Sequence, residues 1–377
     1  MLNFFKNLIR TIFTKKTSTL AKLPWFLILI TFAGSCSLDD IEEKIEGKPH
    51  LAYVTNQKGK VLVIKLSDFS IVDEIDVGIG NRGLGITEDG KKLVVAVKSS
   101  NDVAVVNLDT RKIIKRIYIG ENPEMVRVRG NKAFITFEPA AIGGPPPKPG
   151  SKEARNLEKK RKEENEEKAK IAVVDIESGS KIIEIEGGME TEGIEFSYDG
   201  EKIIVTNEAD ENLSVHSIDS GELLKTIDTK DLGNRPRGIK RSETEKFYLS
   251  TLEYGNKLIK LDEAFNITGS ADTGKVPYGI SFSGDMGKAY VALAYGKAIQ
   301  IFDTESMESV GYLPSGDRCW HFSFTPDQKR IIAACGRSND LLLINVEEKK
   351  IEKKIENLKM PWGIVTFPKS YGTLDAP

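Results

Sequence analysis

The sequence contains few residues of the types that most often bind metals or act as nucleophiles. Its 377 residues include 3 cysteines and 3 histidines. Cys319, Cys335 and His321 could lie close together, but two thiols and one imidazole without a fourth ligand make a weak zinc site. We expect neither a metal nor a cofactor. A nucleophile elbow, a P-loop and a dinucleotide-binding fingerprint are also missing from the sequence. An enzymatic function is therefore the less favoured alternative.

A large excess of one charge sign is missing as well. The chain has 54 basic and 56 acidic residues, a formal net charge of −2. Residues 1–36 contain five basic residues and no acid, so without them the net charge falls from −2 to −7. A mildly acidic protein neutralises phosphates poorly, and we expect no nucleic-acid partner.

Long apolar runs are rare, but one, LPWFLILITFAGS, follows the basic segment at residues 23–35. This order predicts a secretory signal, and the run is too short to be a confident membrane span. Its ending, AGSC, resembles the lipobox of bacterial lipoproteins. The resemblance implies a signal peptide at 1–36, lipidation of Cys36 and an acidic linker at 37–49.

Lipidation would hold the protein at a membrane surface. The expected location is the cell envelope, at the outer membrane or the periplasmic face of the inner membrane. An ordinary signal peptide or an uncleaved anchor stays open as the alternative.

A pattern of short, β-branched strands recurs along residues 50–368. The predicted end of the third strand of each unit falls at seven positions: Lys65, Asn107, Asp175, Ser217, Asp262, Asp303 and Asn345. The successive spacings are 42, 68, 42, 45, 41 and 42 residues. A period near 40–45 residues with four strands per unit predicts a β-propeller, because one blade cannot bury its faces alone. The predicted fold is all-β, a seven-bladed β-propeller.

The two ends of the repeat region predict how the ring closes. The segment MPWGIVTF (360–367) reads as a first strand without later strands, whereas LAYVTNQKGKVLVI (51–64) reads as later strands without a first. We therefore expect the C-terminal strand to complete the first blade, which removes an open sheet edge. Residues 369–377 would then form a C-terminal tail.

The repeats contain AYVTN (52–56), IIVTN (203–207) and TPDQKRIIAACGRSNDLLLIN (325–345). These segments resemble the YVTN-family β-propeller repeat proteins of bacteria and archaea, and the resemblance covers residues 50–368. It implies the blade structure and no particular reaction. Related propellers include lactonases, the haem-d1 domain of nitrite reductase and subunits that accompany quinoprotein dehydrogenases, so the fold by itself does not select a function.

One unit is longer than the others because residues 139–170 form an insertion in blade 3. The first half is rich in proline and glycine and cannot lie inside a sheet. From Ser151 to Lys170, opposite charges at helical spacing predict a solvated helix or a disordered segment. The insertion follows a second strand, so it should project where the connections to third strands lie. A partner-docking arm and a tolerated loop insertion are both open.

Cys319 and Cys335 are predicted to form a disulfide across a hairpin of blade 7. A turn around Asp327 would place Thr325 opposite Lys329, and the same register would place the two thiols opposite each other. An exported compartment permits such a bridge. A metal or redox site that includes His321 is the alternative.

The first strands should line the central channel, where propellers usually bind ligands. The variable residue before the aligned glycine of each first strand gives one ring: Leu84, Glu124, Glu192, Arg237, Tyr278, Trp320 and Trp362. Residues two positions earlier give another: Arg82, Asn122, Glu190, Arg235, Val276, Arg318 and Met360. His321 and Met125 replace the aligned glycine in two units. The prediction is a mouth with an acidic side over blades 3 and 4, and a basic and aromatic side over blades 5, 7, 1 and 2.

The candidate ligand-binding residues are Arg82, Glu124, Glu192, Arg237, Tyr278, Trp320, His321 and Trp362. Arginine beside aromatic rings suits an anionic or planar ligand, or an acidic peptide. The alternative is a purely structural role, in which these are solvated turn residues and the tryptophans pack in the core.

The favoured function is a membrane-tethered binding or scaffold protein of the bacterial cell envelope. Its partner would be an envelope protein or a small anionic ligand. The alternative is an exported enzyme or redox subunit, either a lactonase-like hydrolase or a haem- or quinoprotein-associated propeller. That alternative requires mouth glutamates that converge on a metal, or His321 as an axial ligand.

Overall fold

The computed structural model describes residues 50–139, 151–163 and 167–375. The predicted signal peptide, Cys36 and the linker lie outside the described residues. Residues Pro49–Pro377 form one compact unit. Within the described part of the chain, no helix is long and apolar enough to cross a membrane.

Seven antiparallel four-stranded sheets form the blades of a β-propeller. Blade 1 contains β1 (Leu51–Asn56), β2 (Val61–Lys65), β3 (Ser70–Ile75) and β28 (Pro361–Phe367). Blade 2 contains β4 (Asn81–Ile86), β5 (Lys92–Val97), β6 (Asp102–Asn107) and β7 (Lys112–Tyr118). Blade 3 contains β8 (Pro123–Arg129), β9 (Lys132–Phe137), β10 (Lys170–Asp175) and β11 (Lys181–Glu186). Blade 4 contains β12 (Thr191–Phe196), β13 (Lys202–Asn207), β14 (Asn212–Ser217) and β15 (Leu223–Asp228).

The remaining three blades follow the same order. Blade 5 contains β16 (Pro236–Arg241), β17 (Phe247–Leu252), β18 (Lys257–Asp262) and β19 (Ile267–Asp272). Blade 6 contains β20 (Pro277–Phe282), β21 (Lys288–Leu293), β22 (Ala298–Asp303) and β23 (Ser309–Pro314). Blade 7 contains β24 (Cys319–Phe324), β25 (Arg330–Cys335), β26 (Asp340–Asn345) and β27 (Lys350–Ile355). The third strands end at the seven residues that the sequence pattern predicted, and the fold prediction is confirmed.

The middle strands are continuously apolar because each blade packs on a neighbour through both faces. Ala333 and Ile331 of β25, for example, belong to a buried cluster with Tyr290 and Ile299 of blade 6. The opposite face of β25 contributes Ile332 to a cluster with blade 1. This two-sided burial explains the lack of polar alternation in these strands.

Closure of the ring pairs the two ends of the repeat region. Strand β28 is antiparallel to β1, with Leu51 opposite Phe367 and Val54 opposite Ile364. The first blade is therefore completed by the last strand, as predicted from the incomplete units. The closure leaves β28, like every other first strand, facing the channel.

The insertion of blade 3 lies between β9 and β10, the second and third strands. Helix α1 (Lys152–Glu163) forms in its charged half. Residues 140–150 and 164–166 of the insertion lie outside the described residues.

The hairpin of blade 7 differs from the predicted register by one residue. Phe324 lies opposite Ile331, so the predicted pairing of Thr325 with Lys329 was wrong. A β-bulge between Cys319 and His321 then shifts the register by one residue and places Cys319 opposite Cys335. A disulfide joins the two cysteines.

Replacing both Cys319 and Cys335 by serine is expected to lower the free energy of unfolding by about 2–4 kcal/mol. The bridge closes a loop with a sequence separation of 16 residues, and both cysteines are buried. Urea unfolding of the double variant and of the wild type measures the loss. Reduced wild-type protein should unfold like the variant, and two reactive thiols in non-reduced, denatured protein would contradict the bridge.

Candidate functional site

The bulge found in blade 7 recurs near the start of the first strand in all seven blades. A bulge inserts an extra residue and re-aims its side chain, here toward the channel mouth. In blade 2 the bulge lies between Asn81 and Leu84. Arg82 is therefore the mouth residue of that blade, and the assignment of Leu84 was wrong. In the sequence, Gly83 and Gly85 could each be aligned with the glycine of the other blades. The strand register identifies Gly83 as the equivalent residue.

The aligned glycine allows neighbouring first strands to approach closely. A Cβ on Gly83 would lie 2.5 Å from the carbonyl oxygen of Glu124, the mouth residue of the next blade. A Cβ on Gly238 would lie 2.4 Å from the carbonyl oxygen of Tyr278. Gly193, Gly279 and Gly363 make the same type of contact. The glycine of the repeat is thus a packing requirement of the ring.

Replacing Gly238 by alanine is expected to lower the free energy of unfolding by about 1–3 kcal/mol, because the new methyl group meets a backbone carbonyl. The matched control is Gly269→Ala, since a Cβ there meets nothing within 4 Å. Thermal and urea unfolding of both variants compare the two positions. Equal stability of the two variants would contradict the close approach of blades 5 and 6.

Two further rings of residues surround the mouth. The residues two before the mouth residues all have left-handed φ angles, from 49° to 75°: Gly80, Asn122, Glu190, Arg235, Val276, Arg318 and Met360. The carbonyl of each accepts a hydrogen bond from the backbone N–H of the residue that follows the second strand: Gln57, Lys98, Glu138, Glu208, Glu253, Ala294 and Gly336. This third ring was missed in the sequence, although its position directly after the second strand is regular.

Two basic residues of blade 2 neutralise Glu124 on the acidic side of the mouth. Arg82 Nε lies 2.5 Å from Glu124 Oε2, and Lys98 pairs with the other carboxylate oxygen. Burial favours the neutral form of Glu124, but the charges of Arg82 and Lys98 outweigh it and lower its pKa. The Arg82 guanidinium also lies over the Trp362 ring, 4.7 Å from its centroid.

Two arginines of blade 5 neutralise the glutamates at the start of blade 4. Arg235 Nη1 lies 2.7 Å from Glu190, and Arg237 Nη2 lies 3.1 Å from Glu192. Two glutamates of the third ring, Glu208 and Glu253, each pair with both arginines. The predicted acidic and basic sides therefore meet as ion pairs.

Glu138, a buried carboxylate of this side, forms no salt bridge with another described residue. It is 8% exposed, and its Oε1 has no hydrogen-bond partner among the described residues. Burial, followed by the charges of Glu192, Glu124 and Glu190, raises its pKa well above the usual value. The folded protein therefore keeps Glu138 protonated up to a higher pH than the unfolded chain does.

Glu138→Gln is expected to stabilise the protein at pH 8 and to have little effect near pH 4. The raised pKa of Glu138 means that its contribution to stability is present below the unfolded pKa of about 4.5 and is lost as the pH rises through the folded pKa. Glutamine imitates the neutral acid at every pH. Urea unfolding of both proteins from pH 4 to pH 8 measures the difference, and a constant difference would contradict this assignment.

His321 and the mouth aromatics pack against each other. The His321 ring lies 4.3 Å from the Trp362 ring and 5.4 Å from the Tyr278 ring, centroid to centroid. Its Nδ1 is hydrogen-bonded to Thr373 Oγ1 at 2.8 Å. Burial, with the nearby charges of Arg237 and Arg82, lowers the pKa of His321 well below its usual value. The imidazole is therefore neutral at pH 7.

The channel below this layer is occupied by the chain itself. Residues 369–375, predicted only as a tail, turn back from β28 into the channel, and Ser370, Thr373, Leu374 and Asp375 are buried. A cavity of about 20 Å³ remains between them and the mouth layer, lined by His321, Arg237 and Thr373 among others. This volume suits one water molecule and not a haem.

The contacts of the described mouth residues leave little room for a metal ion or a haem. The glutamates that a metal would need are paired with arginine or lysine, or, like Glu138, have a raised pKa, and the cavity at His321 is too small for a macrocycle. Within the described residues, no group of three or more His, Cys, Asp or Glu side chains could hold a metal ion. The described residues of the mouth therefore lack the converging free carboxylates that a metal-dependent lactonase site needs.

A more exposed, basic cleft adjoins the mouth between blades 7 and 1. It has a volume of about 530 Å³ and is lined by Lys58, Gly336, Arg337, Asn339, Leu358, Lys359 and Met360. The Trp320 ring lies against Gly336 at its edge, where a Cβ would collide with the ring. Arg318 contacts the rings of Trp320 and of the exposed Tyr295. This cleft is the part of the basic and aromatic side that is open to solvent.

Several known structures have a similar fold, and their functions differ or are unknown. A protein of unknown function from Desulfotomaculum acetoxidans superimposes with a TM-score of 0.68 at 14% identity, over 84% of this chain and 98% of that one. A candidate 6-phosphogluconolactonase from Bacteroides uniformis gives 0.66 at 16%, over 85% and 100%. The dihydro-haem d1 dehydrogenase NirN gives 0.59 at 13%, over 83% and 74%. At these identities the likeness shows the fold alone.

No protein-family model and no curated protein matches the sequence. The YVTN-family resemblance and the lipoprotein signal therefore stay predictions, whereas the seven-bladed propeller is established by the structure.

Proposed function

We propose that the protein is a non-enzymatic binding protein, tethered to a membrane of the bacterial cell envelope, that holds an acidic segment of an envelope partner in the basic cleft beside the channel mouth. The observation that carries this proposal is the basic cleft between blades 7 and 1. Lys58, Arg337 and Lys359 line it, are exposed, and form no salt bridge with another described residue. Cations outside the internal ion pairs can bind an acidic partner without breaking the mouth.

The environment of these cations favours recognition over catalysis. Leu358 and Met360 give the cleft an apolar component, and the Trp320 ring lies against Gly336 at its edge. Arginine with aromatic side chains is the composition of interface hot spots. The buried mouth groups, by contrast, are used in holding seven blades together.

The first test is thermal unfolding of residues 49–377 with a panel of ligands: an acidic peptide, small anions, divalent cations, haem and a quinone cofactor. A ligand at about 100 times its dissociation constant stabilises a protein by about 2.7 kcal/mol, which shifts the midpoint visibly. We expect a shift with the acidic peptide that Arg337→Glu with Lys359→Glu abolishes. The matched control is Lys246→Glu, a substitution at a lysine whose side chain is 64% exposed.

Two results of this experiment would contradict the proposal. A shift with haem or a divalent cation that is lost in Glu124→Ala or His321→Ala would support the exported enzyme or redox subunit instead. A shift with the acidic peptide that survives the double charge reversal would place the partner elsewhere on the surface.

The membrane tether is tested separately at Cys36. The full chain, expressed in a bacterial host with its leader, should fractionate with membranes and incorporate labelled palmitate. Cys36→Ser should lose both properties. Membrane association of the serine variant without label would indicate an uncleaved anchor.

A further inference from the structure

Residues 371–373 pair with the first strand of blade 7 as a short strand would. The N–H of Phe324 donates to the carbonyl of Tyr371 at 2.7 Å, and the N–H of Thr373 donates to the carbonyl of Phe322 at 3.0 Å. Ser323 and Gly372 form an antiparallel bridge. The inner edge of β24, which would otherwise lack a partner, is thus extended by one strand.

Side chains of the channel wall contact the segment of residues 370–375 along its length. Gln328 Nε2 donates to Ser370 Oγ at 2.9 Å, and the Ser370 hydroxyl donates to the carbonyl of Thr325 at 3.0 Å. Farther in, the Thr373 hydroxyl is bonded to His321. Gly279 makes room for Thr373, because a Cβ at Gly279 would lie 2.4 Å from the Thr373 methyl group.

The inner end of the segment meets a buried lysine. Lys240 is 1% exposed, and among the described residues the partner of its Nζ is the carbonyl oxygen of Asp375. Arg127, the neighbouring cation of the wall, already pairs with Glu195 at 3.4 Å. Buried lysines are rare unless they are paired. Without residues 370–375, Lys240 would lose its hydrogen-bond acceptor among the described residues, so the wall carries a recognition group for this segment.

We propose that the channel is a peptide-binding site, occupied in cis by residues 370–375, whose ligand is a segment with the order Gly-Thr-x-Asp that pairs with β24 at its glycine and bends after it. The backbone pairs with β24, the threonine hydroxyl binds His321, and the inner end of the segment binds Lys240. A partner carrying such a segment enters from the face opposite the mouth and displaces residues 370–375. This site is distinct from the basic cleft, and either can fail without the other.

The test uses a chain that ends at Pro368 and a synthetic peptide of residues 368–377. Effective concentrations for a short tether are about millimolar, so occupancy in cis requires a dissociation constant in trans below about 1 mM. Calorimetry or an NMR titration should find this binding. A peptide with Thr373→Val should bind at least about tenfold more weakly, because the hydroxyl that is hydrogen-bonded to the buried His321 is lost. The full chain should bind the peptide more weakly than the shortened chain.

A second chain covers the case in which the shortened chain does not fold. It carries a protease site between Pro368 and Lys369, so the segment is in place during folding and is cut afterwards. Retention of the cut segment on gel filtration, and its exchange with added labelled peptide, supports the proposal. Unfolding of the cut chain on release, or a folded shortened chain that binds neither peptide, overturns it and leaves the segment a purely structural plug. Equal binding of the two peptides also overturns it.

Discussion

Arg237→Met is expected to lower the free energy of unfolding by about 3–5 kcal/mol, because removal of one partner leaves buried charges uncompensated. The Arg237 side chain is 12% exposed, and that of its partner Glu208 is 1% exposed. Glu192 and Glu253 also pair with Arg237. Methionine keeps most of the side-chain volume, so the loss reports charge and not a cavity. Urea unfolding at pH 7 measures it.

Two controls separate this buried pairing from surface electrostatics. Lys246 and Glu263 form an exposed pair, with side chains 64% and 50% exposed, and Lys246→Met should cost less than about 1 kcal/mol. Adding Glu208→Gln to Arg237→Met should recover part of the loss, since one unpaired carboxylate is removed. An Arg237→Met protein as stable as wild type would mean that the mouth is hydrated and open, and it would return Arg237 to the candidate ligand-binding residues.

Trp362→Ala is expected to lower the free energy of unfolding by about 3–5 kcal/mol. Trp362 is 1% exposed, lies on the closure strand β28 and packs against His321 and Arg82. Its removal would leave a cavity where the ring closes. Thermal and urea unfolding measure the loss.

The control is another aromatic residue on the same face. Tyr295 is 56% exposed, and Tyr295→Ala should change stability by about 0.5 kcal/mol or less. A Trp362→Ala protein of normal stability that no longer binds the acidic peptide would support the original assignment of Trp362 as a ligand-binding residue. Loss of stability with unchanged peptide binding supports its role in the core.

The strand pattern was predictable because each blade repeats the same local chemistry. The third strands end where the sequence predicted, from Lys65 to Asn345, since β-branched runs and the turns that bound them depend on neighbours in sequence. Closure by β28 followed from counting strands in the incomplete units. The same reasoning failed at Leu84, because a bulge adds one residue without any residue type that marks it.

The mouth was predicted as a set of positions but not as a set of interactions. Six of the seven mouth residues were identified, and Arg82 was assigned to the earlier ring. Glu208 and Glu253, which bind both arginines of blade 5, were missed because they follow second strands and no motif distinguishes them. Whether an arginine binds a ligand or a neighbouring glutamate depends on the distance between blades.

The sequence by itself determined the number of blades, their strands and the way the ring closes, because these depend on a local pattern that repeats every 41 to 45 residues outside the insertion. Only the tertiary structure decided which charged side chains form ion pairs inside the protein and which remain exposed to solvent. It also decided that residues 370–375 fill the channel, where Lys240 meets Asp375 across 135 residues of sequence. Contacts of that kind arise when seven separate strands converge on one axis, and no local pattern encodes them.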